Sequence, residues 1–184
     1  MKTLAVILLL VSFSFSSYAQ RITELEETKI SFSPLIFIET DEPDDYRFKI
    51  KDGYDKEFTL DPIGFMESYF NIDNFIQEVG DKDYDFYLVN FSNENGFLEA
   101  KYSKEGELDR TRQIFKNAAL PVAVRNELWR QTEGWSMVKN TYVARGKGNR
   151  LDKELYRIKV VKNNKAKIIK IDPKSLDEER IAGI

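Results

Sequence analysis

Residues 116–135 read KNAALPVAVRNELWRQTEGW, and this stretch decides how the chain divides into elements. Pro121 suits the first turn of a helix, where its missing N–H and fixed φ cost nothing. Val124, Leu128 and Gln131 then recur at helical spacing on one face. Gly134 tolerates the left-handed backbone that ends a helix, and Trp135 leads into a strand. The same order occurs upstream: Asp61-Pro62 opens a helix with Asp61 as N-cap, and Phe65, Tyr69, Ile72, Ile76 and Val79 form its apolar stripe. Asn71-Ile72-Asp73 divides that stretch into two short helices, with Asp73 able to cap the second and Gly80 ending it.

Each helical stretch precedes three strand-like segments, 85–92, 97–103 and 107–115 after the first, and 136–145, 154–162 and 165–172 after the second. Asn95-Gly96 and Asn163-Asn164 supply hairpin turns, and 146–153 reads as a loop. Before the first helix, Leu35-Ile36-Phe37-Ile38 follows Pro34 as a strand. Tyr46–Lys51 alternates apolar and charged residues, and Glu57–Leu60 reads as its returning partner across Asp52-Gly53. The expected fold is therefore α+β, made of tandem helix-plus-antiparallel-meander repeats with the helices packed on one sheet face. The expected boundaries are a signal peptide at 1–19, N-terminal strands at 20–61, a first repeat at 62–115, a second at 116–172 and a charged tail at 173–184.

Three segments carry a family resemblance: KYSKEGELDRTRQIFKNAALP (101–121), TEGWSMVKNTYVA (132–144) and LYRIKVVKNNKAKIIKID (155–172). Their order resembles the PepSY-like, beta-lactamase-inhibitor-like secreted proteins of Bacteroidetes, in particular a flavobacterial branch. The resemblance covers 84–172 well and 21–83 loosely. It implies an exported α+β module with no catalytic residues to carry over. It does not carry inhibition of any particular hydrolase, because a fold hosts many functions.

The chain opens with Lys2, an apolar run from Leu4 to Val11, and Ser17-Tyr18-Ala19 before Gln20, the pattern of a cleaved secretory signal. The run is too short to span a bilayer comfortably, so no stable membrane insertion is expected after cleavage, and the expected location is periplasmic or secreted. Cysteine is absent, which excludes disulfides and lipidation of a cysteine at the export site. Histidine is absent as well, removing the usual general base near neutral pH and the commonest zinc ligand.

Asp81, Asp83 and Asp85 imitate the start of a calcium loop, but Phe86 stands where that loop needs glycine and Ser92 where it needs a bidentate Glu. Looser calcium binding through 41–45 has no supporting pattern, and Gly146-Lys147-Gly148 lacks the spacing of a phosphate loop. No cofactor or metal is expected. Nothing selects a pair of carboxylates for glycoside hydrolysis, so the chain reads as a binding protein and not an enzyme. Trp129 and Trp135 are read as packing residues beside a helix end.

Charge is divided along the chain. Residues 20–100 hold 7 basic and 20 acidic side chains, whereas 101–170 hold 18 basic and 7 acidic. In the last hairpin Arg157 and Lys159 alternate against Tyr156, Ile158 and Val160. With Lys165 and Lys167 from the partner strand, and Arg145, Lys147 and Arg150 from the adjoining loop, they make a candidate basic face. The expected function is an exported, non-catalytic binding or inhibitor-like module. Its expected partner is a protein or anionic polymer of the envelope or medium, not a nucleic acid. The alternative is a structural envelope protein that self-associates through its acidic and basic halves.

Overall fold

The computed structural model describes residues 33–38, 45–79 and 84–176. The expected signal peptide, Gly80, Asp81, Asp83 and the end of the tail lie outside them. Eight strands form one sheet in sequence order. They are β1 (Leu35–Ile38), β2 (Asp45–Ile50), β3 (Phe86–Asn93), β4 (Gly96–Ser103), β5 (Leu108–Lys116), β6 (Ser136–Lys147), β7 (Arg150–Lys162) and β8 (Lys165–Ile171). Every neighbouring pair is antiparallel except β2 and β3, which run parallel and require a crossover.

The crossover is helical. A 3-10 turn at Asp52–Tyr54 leads into α1 (Asp55–Leu60), α2 (Pro62–Tyr69) and α3 (Ile72–Val79); a fourth helix, α4 (Val122–Gln131), joins β5 to β6. Asp61 caps α2 by accepting the Gly64 N–H at 3.0 Å, with Pro62 in the first turn. The second cap falls on Asn71, whose Oδ1 accepts the Asn74 N–H at 2.9 Å, and not on Asp73.

This overturns the tandem repeat. The molecule is dominated by a single mixed sheet, and β5 pairs with β6 over Arg110–Lys116 and Thr141–Lys147, where the two repeats were expected to separate. The expected strand at Glu57–Leu60 is helical. Phe58 explains the difference: in a helix it points one aromatic ring inward, fully buried between Phe65 and Phe115 at ring distances of 5.3 and 5.4 Å. Similarly, 146–153 is no loop, since β6 and β7 continue to a tight turn in which Gly148 sits at φ +58.

One face of the sheet is covered. Tyr46, Phe48, Tyr87, Val89, Phe91 and Leu98 are buried there, and their partners come from the crossover helices. Phe75 meets Tyr46 edge-on at 4.7 Å, and Phe70 meets Phe91 at 5.2 Å. Further along, the covered face turns polar and tyrosine-rich. Thr111, Gln113 and Asn140 are buried, and the Tyr142 hydroxyl donates to Glu154 Oε2 at 2.7 Å.

Burial, followed by that hydrogen bond and the charge of Glu154, pushes the Tyr142 phenol well above its ordinary range. Burial raises Tyr102 and Tyr156 as well. These phenols stay protonated in the fold while the unfolded chain ionises near pH 10. The stability they contribute is complete below about pH 10 and is lost as pH rises beyond it. An alkaline titration should therefore show loss of β-sheet circular dichroism in step with tyrosinate absorbance. Full ionisation with the sheet signal intact would contradict this account.

Candidate functional site

The opposite face of the sheet is assembled by alternation. Where Tyr87, Val89 and Phe91 face the helices, Phe86, Leu88 and Asn90 face away; where Thr111, Gln113 and Phe115 are buried, Arg110, Arg112 and Ile114 are not. Ladder register then aligns these outward residues in rows that run across the strands. Directly opposite residues share a face at about 4.5–5.5 Å between Cβ atoms.

In the first row Lys101 pairs with Arg110, Arg110 with Lys147, and Lys147 with Arg150. One step along the strands, Glu99 pairs with Arg112, Arg112 with Arg145, and Arg145 with Lys153. The next row is apolar: Phe97, Ile114, Val143 and Leu155, all half-buried. Beyond it Lys116, Thr141, Arg157 and Lys170 align, followed by Lys139 beside Lys159. The face is thus a partly exposed apolar stripe with cations on both sides.

Its acidic content is small. Glu99 lies 3.8 Å from Arg112, and Asp109 and Asp152, at irregularities of the ladders, lie 4.0 and 3.5 Å from Arg110 and Arg150. Among the described residues, Arg145, Lys147, Arg157 and Lys159 form no ion pair. Two cations cover aromatic rings: Lys101 Nζ is 4.0 Å from the Phe86 ring centre, and the Arg112 guanidinium carbon is 5.3 Å from that of Phe97. A shallow depression of about 240 Å³ lies between Phe86, Leu88, Glu99, Lys101, Arg110 and Arg112, and a wider one of about 500 Å³ lies between Val143, Arg145, Lys153, Leu155, Arg157 and Asp172.

The seven cations singled out in the sequence divide between the two faces. Arg145, Lys147, Arg157 and Lys159 stand on the open face, with Arg150 at its rim. Lys165 and Lys167 fall on the helix side, because Lys165 pairs with Lys162 and Lys167 with the buried Val160. Lys167 Nζ rests 4.6 Å from the Trp135 ring and donates to the Gln131 carbonyl at 3.4 Å. Residues missed in the sequence complete the rows: Lys101, Arg110, Arg112, Lys116, Lys139, Lys153 and Lys170. Trp135 packs as expected of it, but Trp129 is 73 % exposed on α4.

Among the described residues there is no group of three or more Asp, Glu, His or Cys able to hold a metal ion, and no helix long and apolar enough to cross a membrane. Comparison of the chain with protein-family models, curated protein sequences and solved structures finds no match.

Proposed function

We propose that the protein is an exported, non-catalytic binding module that holds an anionic macromolecule on the open face of its sheet. Export rests on the N-terminal sequence pattern. Binding rests on one observation: like charges stand directly opposite one another in runs across the strands, as in Lys101–Arg110–Lys147–Arg150 and, beside the Glu99–Arg112 pair, Arg112–Arg145–Lys153. Such pairs cost stability, about 0.2–1 kcal/mol each, and alternating signs would give equal solubility without the cost. An anionic partner converts that repulsion into attraction.

Replacing Arg145, which lies between Arg112 and Lys153, tests this with two readouts. Arg145→Glu creates two favourable pairs in place of two unfavourable ones and should stabilise the free protein by about 0.5–2 kcal/mol in urea denaturation. The same variant should bind immobilised dextran sulfate on the order of tenfold more weakly, with a shallower dependence on salt. Unchanged binding together with increased stability would show that the cations are only a solvated surface.

Self-association of acidic against basic halves is a different reading of the charge division. Between described residues, Glu99–Arg112 joins 20–100 to 101–170. Salt-sensitive dimers in sedimentation at low ionic strength would favour that reading; a monomer at all salt concentrations favours a separate anionic partner.

A further inference from the structure

We infer that the occupant of the open face is a linear acidic polysaccharide that crosses the strands, with its sugar rings on the apolar row and its carboxylates or sulfates in the flanking cation rows. This rests on the binding function proposed above and narrows it to one class of partner.

Three features carry the inference. The first is repetition. Strands repeat every ~4.8 Å, so Lys101, Arg110, Lys147 and Arg150 present a cation at each step over roughly 14 Å. A regular series of this kind suits a polymer with a repeating charge better than the irregular surface of a folded protein. Protein interfaces anchor on a few side chains in well-formed pockets, whereas the two hollows on this face, one beside Phe86 and Lys101 and one beside Arg145 and Leu155, are wide open.

The second is the row Phe97–Ile114–Val143–Leu155, which lies between cation rows, one step of ~6.7 Å from each. A ligand recognised by charge alone has no use for it. A pyranose chain does, because each ring pairs an apolar C–H face with a polar edge, and acid groups on that edge reach the rows on either side.

The third feature argues against single-stranded nucleic acid, whose bases need free aromatic faces. The rings of Phe86 and Phe97 are covered by Lys101 and Arg112, so bases find no free aromatic face, whereas sugar rings can rest on the aliphatic Ile114, Val143 and Leu155 of the row.

The test compares polygalacturonate oligomers of increasing length with polyphosphate, polyglutamate, single-stranded DNA and neutral dextran, measured by calorimetry at fixed ionic strength. Affinity for the uronate oligomers should rise with length until the chain spans the four strands of the row, and dextran should not bind. The double variant Ile114→Thr, Val143→Thr keeps β-branched side chains and every charge. It should lower uronate affinity about tenfold and leave polyphosphate binding unchanged, with denaturation confirming that the sheet persists. Arg145→Glu should weaken all polyanions together. If polyphosphate, polyglutamate or DNA binds as tightly as the uronates and the double variant binds all of them normally, the polysaccharide inference is wrong while the binding function stands. If no polyanion binds even at low salt, both are overturned.

Discussion

Replacing Phe91 with alanine is expected to lower the unfolding free energy by about 3–5 kcal/mol, a large share of the margin of a domain this size. Phe91 is fully buried on β3, the strand where the parallel ladder to β2 meets the antiparallel ladder to β4. Its ring stacks on Phe48 at 5.6 Å and 17° and meets Phe70 edge-on at 5.2 Å and 76°. One truncation therefore loosens a strand on one side, the junction of α2 and α3 on the other, and leaves a cavity between them. Urea denaturation reads the loss, and Phe91→Leu, which keeps most of the volume, should recover most of it. A loss below about 1 kcal/mol would mean that this aromatic cluster is not the centre of the core.

Gly96→Val is the second large effect, and its cause is backbone proximity. A Cβ at Gly96 would lie 2.0 Å from the Ile114 carbonyl oxygen and 2.8 Å from the Phe115 Cα, both fixed in the β4–β5 ladder. Neither can retreat without opening the ladder beside Phe97 and Ile114, so a loss of roughly 2–4 kcal/mol is expected. Gly53, with nothing within 4 Å of its would-be Cβ, is the matched control; Gly53→Ala should change stability by less than about 0.5 kcal/mol. Equal stability of the two variants would refute the close-approach argument.

Gly96 also shows where sequence reasoning stopped short. Asn95-Gly96 is a good hairpin signal, and a hairpin is present. Its turn, however, is Glu94-Asn95, tied by the Asn93 side chain accepting the N–H groups of Asn95 and Gly96 at 2.9 and 3.0 Å. Glycine is needed there because another strand passes close by, which is a tertiary fact. The six strands of the meander, the Asp61-Pro62 helix start and the Asn163-Asn164 turn were legible because each is set by local patterning or turn chemistry. The parallel pairing of β2 with β3 was not legible. The short helix α1 offers no long periodic stretch, and an alternating strand such as Tyr46–Ile50 does not announce its partner.

The basic face was half legible for a related reason. Arg157 and Lys159 follow from alternation alone. Choosing their neighbours requires register, and the two-residue turn Asn163-Asn164 fixes Lys162 opposite Lys165 and hence Lys170, not Lys167, beside Arg157. Arg110 and Arg112 alternate with buried Thr111 and Gln113 in the same manner, yet α4 and β6 separate them in sequence from that hairpin. Only the continuous sheet brings them together.

The single parallel pairing also sets an order of assembly. From β3 to β5, and again from β6 to β8, each strand pairs with the one before it across a short turn at little entropic cost, while α4 bridges the longer β5–β6 connection. The ladder between β2 and β3 must instead enclose the whole segment that carries α1, α2 and α3, and it gains nothing until those helices have found the covered face. Contacts that distant in sequence form slowly. The rows from Lys101 to Arg150 lie on β4–β7 and close through two hairpins and the α4 connection, so the charged platform can take shape before β1 and β2 join it.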